Sequence, residues 1–292
     1  MSELLKTTGL SKSFGRHVVF NDLNIKLNAG KVYGLLGLNG EGKTTLIRIL
    51  LGVIPADGGE IRYKDSPVSF RSAAYKEEVG YIPEDPFFFG WMRVEDLLDF
   101  NAAFYRRWDR LRAEDLLKRF SLDKKARIKT LSRGMKLRLE MAVALAARPV
   151  LLVLDDPTSG LDVPTRHDFL QDIIRELADA GTTLLFSTHL VHELERIVDH
   201  LFILQRGRLI LDEDHEAVKN AIRRVRLAFQ GKPPETLGID GVLSEIREGQ
   251  RLEVVVYPWS EDKRKKIEEF SPILQDIEPL TLEDIFRTFV TR

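Results

Sequence analysis

The most informative absence is cysteine, which does not occur among the 292 residues, so disulfide frameworks and thiolate metal sites are excluded. The six histidines are scattered along the chain, which argues against a zinc cluster. No stretch reaches the roughly 18 consecutive apolar residues of a membrane span. The first ten residues also lack the apolar core of a signal peptide. We therefore expect a chain that is soluble by itself and works in the cytosol.

A large excess of charge of one sign is also missing, because 44 basic residues nearly balance 45 acidic ones. Without a global positive field, the composition predicts binding neither to nucleic acid nor to an anionic membrane surface. Any contact with a polyanion must therefore be local. At 292 residues the chain is long enough for two modest domains.

Hydrophobic patterning predicts an α/β protein with a helical insert. Residues 1 to about 30 alternate short apolar runs with turn residues, as antiparallel strands do. Residues 93–147 carry helical spacing almost throughout. Strand and helix patterns then alternate, with helices predicted at about 163–180 and 190–198. This alternation favours a mainly parallel sheet with crossover helices.

The composition changes near residue 220, which predicts a second, smaller domain. Strand patterns there include a hairpin that turns at 248–250, and a charged run at 261–269 is typical of a solvated helix face. A strand and a terminal helix follow. We therefore predict residues 1–218 as one domain, with a helical subdomain at about 86–148, and residues 219–292 as an α+β appendage.

The stretch GLNGEGKT, residues 37–44, has the G-x-x-x-x-G-K-[ST] spacing of a phosphate-binding loop. It follows an apolar strand pattern and opens a helical one, which is the context that this mechanism requires. Glycines allow backbone N–H groups to surround a triphosphate, the lysine reaches its β and γ phosphates, and the next hydroxyl binds Mg²⁺. The predicted nucleotide contacts are Asn39, Gly40, Gly42, Lys43, Thr44 and Thr45, with Thr44 also on the metal.

Two adjacent carboxylates, Asp155 and Asp156, end the apolar stretch LLVLDD. The carboxyl end of a buried strand is where α/β sheets bind ligands, so Asp155 is predicted to hold the metal. Because successive strand residues face opposite ways, Asp156 should point elsewhere. Asp156 either polarises an attacking water beside the γ-phosphate or is an ordinary polar residue at a strand end.

Six stretches in a fixed order resemble the nucleotide-binding subunits of ATP-binding cassette (ABC) proteins, over about residues 4–215. They are GLNGEGKT, YIPE at 81–84, LSRGM at 131–135, LLVLDDP at 151–157, SGLD at 159–162 and STH at 187–189. The resemblance implies a P-loop NTPase ABC cassette with a RecA-like, mainly parallel sheet core, an antiparallel β subdomain and a helical insert. It also implies an ATPase that uses ATP and Mg²⁺.

The resemblance further implies a head-to-tail dimer, of this chain with itself or with a paralogous cassette, around two ATP molecules. Each ATP would lie between the phosphate loop of one subunit and Ser132, Arg133 and Gly134 of the other. Ser132 is compatible with a plain helix N-cap as well. Ser159 and Asp162 would lie at the dimer interface, although Asp162 is explained equally well as a helix N-cap.

The family resemblance also implies roles for three more residues. Phe14 would stack on adenine, unless it is an ordinary core aromatic. Glu84 would lie near Mg²⁺ and the attacking water. His189 would contact the γ-phosphate, unless it is a structural histidine. Together with Asp156, Glu84 and His189 form the predicted catalytic set.

Three positions depart from the family pattern. The family usually has Glu at the position of Asp156, Gln at that of Glu84, and Gly at that of Arg133. Asp is shorter than Glu by one methylene, about 1.5 Å, and misplacing a catalytic group by ~1 Å can lower a rate ~10²-fold. We therefore expect slow hydrolysis, unless a backbone shift brings the carboxylate forward. Arg133 either adds positive charge to phosphate binding or points into solvent.

The stretch PFFFGWM places Phe87, Phe88, Phe89 and Trp91 ahead of the helical insert. These aromatic residues either pack in the core or, as in transporter members of the family, form a groove for a cytoplasmic helix of a membrane subunit. The second possibility implies integral membrane partners and a peripheral location on the inner face of the cell membrane. Glu84 resembles the exporter-type branch, which implies export.

The alternative function is a soluble ABC ATPase that acts on ribosomes or DNA. Such members carry two cassettes joined by a basic helical linker, or a long coiled coil, and this chain has one cassette and neither feature. The appendage, whose last helix contains LEDIF, resembles the extension of exporter-type subunits. It strengthens the dimer, senses a ligand or serves as a structural cap.

Overall fold

The computed structural model describes residues 2–69, 72–178, 181–189, 191 and 194–291. The chain divides into two compact units. The first unit contains Met1–His189 and Leu204–Leu209, and the second contains Leu190–Ile203 and Ile210–Arg292. The predicted boundary between residues 218 and 219 remains a prediction.

A parallel sheet forms the centre of the first unit, with the strand order β4 (Val32–Leu36), β9 (Thr183–Thr188), β8 (Leu151–Asp155) and β7 (Val79–Ile82). Every residue of β8 and β9 is buried, as expected for parallel strands covered on both faces. The register places Asp155 beside Ser187. The carboxyl ends of β4, β8 and β9 therefore lie at one edge of the sheet.

An antiparallel sheet makes up the second layer of strands in the first unit. Its order is β2-β1-β5-β6, and β3 pairs with the other end of β1. The apolar side chains of Leu5 and Leu10 on the long strand β1 are fully buried. The strands are β1 (Glu3–Phe14), β2 (His17–Leu23), β3 (Lys26–Asn28), β5 (Gly58–Tyr63) and β6 (Ser66–Val68).

The helices of the first unit begin where the sequence supplies a cap or a glycine. The side chains of Ser132 and Asp109 accept backbone N–H bonds at the start of α5 and α4. The first helix follows Gly42, whose backbone has the left-handed conformation. No helix in the described part of the chain is long and apolar enough to cross a bilayer. The helices are α1 (Lys43–Leu50), α2 (Ala73–Glu77), α3 (Val94–Ala102), α4 (Arg110–Arg119), α5 (Arg133–Ala146) and α6 (Val163–Ala178).

The two helices predicted after β8 have different outcomes. The first is present as α6, and residues 179 and 180 of its predicted range lie outside the described residues. The second, at about 190–198, is wrong where the structure describes it. Residues 194–197 form turns, in which the N–H groups of Leu194 and Ile197 bond to carbonyls three residues back and that of Val198 bonds to Leu194, four residues back. Residues 190, 192 and 193 lie outside the described residues.

Buried ion pairs join the helical insert to α6. Glu176 is 3% exposed and accepts from Arg112 and, at 3.0 Å, from Arg119, both on α4. Arg138 on α5 donates to Asp172 at 3.0 Å. Since a buried carboxylate is stable only when it is paired, these arginines fix α4 and α5 against α6.

The second unit contains an antiparallel sheet with the order β13-β14-β12-β15. Its apolar face packs on helix α8 through Val225, Val254 and Ile267, which are fully buried. The hairpin, charged helix, strand and terminal helix predicted here are confirmed. The elements after β9 are β10 (His200–Gln205), β11 (Arg208–Asp214), α7 (His215–Ala221), β12 (Arg223–Ala228), β13 (Val242–Glu248), β14 (Arg251–Val256), α8 (Glu261–Glu268), β15 (Leu274–Glu278) and α9 (Leu282–Val290).

Glu140 on α5 is a partly buried carboxyl group in the first unit. Burial raises its pKa from the ordinary value of 4.5 to about 7. The folded protein therefore binds more protons than the unfolded chain between these two pH values. Because of this difference, the contribution of Glu140 to the free energy of unfolding falls as the pH rises through that window.

Glu140→Gln removes this titration. The variant should be more stable than the parent at pH 8, by up to about 3 kcal/mol, and much less so at pH 5. Urea denaturation of both proteins at the two pH values measures the difference. The exposed Glu114 on α4 provides the control, because Glu114→Gln makes the same chemical change at the protein surface. A pH-independent effect of Glu140→Gln would contradict the prediction.

Candidate functional site

The loop between β4 and α1 depends on glycines. A Cβ on Gly37 would lie 2.6 Å from the carbonyl oxygen of Leu204, and one on Gly42 would lie 2.6 Å from Cγ1 of Val19. Gly42 also has a φ of +96°, in the left-handed region that side chains disfavour. The backbone can therefore curve closely around a ligand at the N-terminus of α1, where N–H groups favour an anion.

Lys43 is buried at the centre of this loop, with 8% exposure. Its ammonium donates to the carbonyl oxygens of Gly37 at 2.7 Å and Leu38 at 3.0 Å. Burial lowers the pKa of Lys43, and the negative charges of Asp156 and Asp155 act in the opposite direction. An ammonium has three N–H donors, so Lys43 can bind an anion in the loop while keeping both carbonyl contacts.

Asp155 ends β8 and is 3% exposed. One carboxylate oxygen accepts from the hydroxyl of Thr44 at 3.2 Å and from that of Ser187 at 2.8 Å. Burial raises the pKa of Asp155, these two hydroxyls lower it, and the charges of Asp156 and Glu84 raise it further. Ser187 was not among the predicted site residues, although it belongs to the STH stretch.

Asp156 turns away from the strand, with a φ of +46°. Its Oδ2 lies 2.6 Å from Nδ1 of His189. Its Oδ1 is buried and has no hydrogen-bond partner among the described residues. The two neighbouring carboxylates therefore contact different groups, although the backbone N–H of Asp156 also donates to the hydroxyl of Ser187 at 3.1 Å. Asp155 meets the hydroxyls and Asp156 meets the imidazole, and Asp156 keeps one acceptor oxygen unused.

The oxygen atoms at this sheet edge fit a magnesium ion. The concentrated negative charge of Asp155, Asp156 and Glu84 favours a cation, and the hydroxyl of Thr44 lies beside the Asp155 carboxylate. The described part of the chain contains no group of three His, Cys, Asp or Glu side chains that could hold a metal. Magnesium suits a site with few protein ligands, because phosphate and water oxygens complete its shell.

The segment predicted to contact a second nucleotide opens α5. The hydroxyl of Ser132 accepts from the N–H of Met135 at 3.2 Å, and a Cβ on Gly134 would lie 2.6 Å from Cγ2 of Thr165. Arg133 is exposed, and its Nη1 is 2.7 Å from where a Cβ on Gly160 would lie. The guanidinium is therefore held over a glycine of the SGLD stretch.

The predicted interface residues have local partners in this chain. Asp162 accepts from the N–H of Thr165 at 2.8 Å, which is the contact of an ordinary N-cap. This bond lowers the pKa of the Asp162 carboxyl. The N–H of Ser159 donates to the carbonyl oxygen of Asp156 at 3.2 Å. Asp162 and Ser159 therefore fix the turn between β8 and α6.

Phe87, Phe89 and Trp91 lie on the surface, with exposures of 83%, 50% and 70%, and Phe88 is partly buried. The ring centroids of Phe87 and Phe89 are 5.7 Å apart, and those of Phe89 and Trp91 are 6.0 Å apart. Core packing does not account for these three rings. They form an exposed aromatic patch, which is unusual unless something binds it.

Hydrogen bonds join only part of the predicted site within one chain. Bonds link Thr44, Asp155 and Ser187, and a second contact links Asp156 to His189. Phe14 is 54% exposed at the end of β1, and Glu84 is exposed beside Arg133 in a pocket of about 250 Å³. In the described ranges, no hydrogen bond connects Ser132, Arg133 or Gly134 to the Asp155 cluster.

A family model described as "ABC transporter" matches residues 20–159. Among curated relatives, the ABC transporter ATP-binding protein YtrB of Bacillus subtilis is 28% identical over 97% of both chains. The Nod factor export ATP-binding protein I of Bradyrhizobium diazoefficiens is 40% identical over 72% of this chain and 70% of its own.

Solved structures give the same result. An ATP-binding subunit of an ABC transporter is 27% identical, with a TM-score of 0.66 over 73% of this chain and 90% of its own. CbiO1 of Clostridium perfringens, part of the ABC transporter complex cbiONQ, is 26% identical, with a TM-score of 0.65 over 73% of this chain and 89% of its own.

Proposed function

Because the chain belongs to the ABC transporter family as an ATP-binding subunit, we propose that two such cassettes close head to tail around two Mg²⁺-ATP molecules and move separate membrane subunits. The cassette hydrolyses ATP, as members of this family do in transport. With this membership, the expected alternative of an ATPase acting on ribosomes or DNA is set aside.

One observation carries the proposal, namely the group formed by Lys43, Thr44 and Asp155 at the start of α1. The ammonium of Lys43, which can reach phosphates, is bonded to the carbonyl oxygen of Gly37 in the glycine loop. The hydroxyl of Thr44, the next residue, donates to the buried carboxylate of Asp155. Thr44 and Asp155 would hold Mg²⁺, which supplies charge neutralisation for the triphosphate. The glycine loop and Lys43 bind and orient the phosphates.

Asp156 and His189 are proposed to handle the attacking water. The bond from His189 holds Oδ2 of Asp156, while Oδ1 is the buried acceptor that can take a hydrogen bond from that water. Nδ1 of His189 faces Asp156, which leaves Nε2 to face the γ-phosphate, and Nε2 donates to that phosphate when it also carries a proton. Hydrolysis is slow in this proposal, because the Asp side chain is shorter than Glu and holds water at a longer distance.

Asp156→Glu should raise turnover, by about 10-fold or more, and Asp156→Asn should lower it by about 10²-fold. ATP turnover and ATP affinity of the purified variants measure both effects. Asp156→Asn should keep its affinity, whereas Lys43→Ala should lose binding altogether. Turnover by Asp156→Asn equal to the parent's would exclude Asp156 as the base, and normal ATP affinity in Lys43→Ala would overturn the proposed site.

The dimer is proposed because Ser132, Arg133 and Gly134 present an anion-binding helix start that this chain's own phosphate site does not use. Arg133 lies in the first turn of α5, where the helix dipole opposes a positive side chain. A phosphate from the opposite subunit would stabilise that charge. Because Gly160 has no side chain, the guanidinium of Arg133 can lie against it before nucleotide binds. Less side-chain entropy of Arg133 is then lost when it contacts the phosphate.

Arg133→Gly should therefore weaken ATP-dependent dimerisation about 10-fold, the effect of losing one charged hydrogen bond. Light scattering with Mg²⁺-ATP, in the slowly hydrolysing Asp156→Asn background, measures the monomer–dimer equilibrium. Arg133→Lys keeps the charge and should recover part of the loss. Equal dimerisation with and without the Arg133 side chain would leave Arg133 without a role in nucleotide binding.

The exposed aromatic patch is proposed as the docking site for integral membrane subunits, which would hold this chain on the inner face of the cell membrane. Large aromatic side chains bind strongly at protein interfaces, which suits contact with a helix of a membrane subunit that has to move. Export is the proposed direction, since relatives include proteins named for Nod factor export. The domain from about residue 219 onward is proposed as an accessory part of the same assembly.

Phe87→Ala combined with Trp91→Ala should release the chain from its membrane subunits while ATP binding stays unchanged. Copurification from detergent-solubilised membranes measures the association. Leu111→Ala is the control, because Leu111 is 81% exposed but lies outside the patch. Full retention of the membrane subunits by the double variant would exclude the patch as the docking site.

A further inference from the structure

The ring of Phe14 is held from one side by a cation. Phe14 is the last residue of β1 and pairs with His17 across the turn into β2. The ammonium of Lys12 lies 5.2 Å from the centroid of the Phe14 ring. The pairing of β1 with β2 is irregular between Lys12 and Ser13, and the ammonium still lies within cation–π distance of the ring. More than half of the Phe14 side chain nevertheless remains exposed.

Lys12 itself is fixed by Asp57. Lys12 is 7% exposed, and its ammonium lies 2.7 Å from Oδ1 of Asp57. The other carboxylate oxygen accepts from the N–H of Ser13 at 2.7 Å, and the N–H of Asp57 donates to the carbonyl oxygen of Ser11 at 2.9 Å. The bonds from Lys12 and then Ser13 lower the pKa of Asp57. One residue thus restrains the three positions before Phe14.

We propose that Lys12, held by Asp57, is a positioning residue that orients the Phe14 ring for stacking on the purine base of the nucleotide. The inference rests on the proposed binding of ATP and on the stacking role that the family resemblance implies for Phe14. Attraction between the ammonium and the ring face restricts rotation of the ring before nucleotide arrives. Less side-chain entropy is then lost on binding, so the nucleotide binds more tightly.

The test compares ATP with inorganic tripolyphosphate, which has the phosphates but no base. Calorimetric titration of the full chain should show that Lys12→Met weakens ATP binding about 2- to 10-fold and leaves tripolyphosphate binding unchanged. Lys12→Arg keeps a cation over the ring and should bind ATP within about twofold of the parent. Asp57→Asn should weaken ATP binding in the same base-dependent way.

The control is Lys26→Met, which removes a lysine from another ion pair of the same sheet, with Glu3 at 3.0 Å, and should change neither affinity. A Lys12→Met protein that binds ATP as the parent does, or that loses tripolyphosphate equally, would overturn the inference. Additive losses of ATP affinity in the double variant Lys12→Met/Phe14→Ala would also overturn the inference, because the effects of substitutions at coupled residues do not add.

Phe14→Ala separates the two proposals. If Phe14→Ala weakens ATP binding and Lys12→Met does not, only the role of Lys12 fails. If Phe14→Ala also binds ATP like the parent, the stacking role that the family resemblance implies for Phe14 fails as well, while the proposed ATP binding by the glycine loop stands.

Discussion

A carboxylate buried at the end of an apolar strand is stable only when donors or a cation surround it, and the nucleotide site depends on this constraint. Asp155 meets the hydroxyls of Thr44 and Ser187, which come from α1 and β9. Both contacts require the parallel register that puts Ser187 beside Asp155 and the glycine turn that starts α1 at Lys43. The sheet and the loop are therefore parts of one arrangement.

The local features of this arrangement were readable from the sequence, because glycine spacing and apolar runs act over a few residues. The order of strand, glycine loop and helix over β4 and α1 and the buried strand β8 are examples, as is the hairpin of the second unit elsewhere in the chain. Contacts between distant segments were not readable. Ser187 against Asp155, Asp57 against Lys12, and Arg133 over Gly160 each depend on how separate strands and helices pack.

The second predicted helix after β8 failed for a related reason. Apolar spacing at 190–198 suits a helix, but at 194–197 two bonds that reach back three residues and one that reaches back four give turns and no continuous α-helix. Periodicity specifies which side chains face the core and not which backbone bonds form. The exposed rings of Phe87 and Trp91 show the converse, since an aromatic-rich stretch need not enter the core.

The buried Glu176 has a consequence for how this chain can diverge. Two arginines share its charge, so the loss of Arg119 alone would still leave Arg112 in contact. Removing Glu176 would leave Arg112 and Arg119 with Asp115, which lies 3.9 Å from the first guanidinium and 2.9 Å from the second. The arginines therefore keep a shared carboxylate if Glu176 is lost, whereas loss of both arginines would leave the buried Glu176 without a cation. Divergence is thus constrained at the two arginines jointly and not at either one alone.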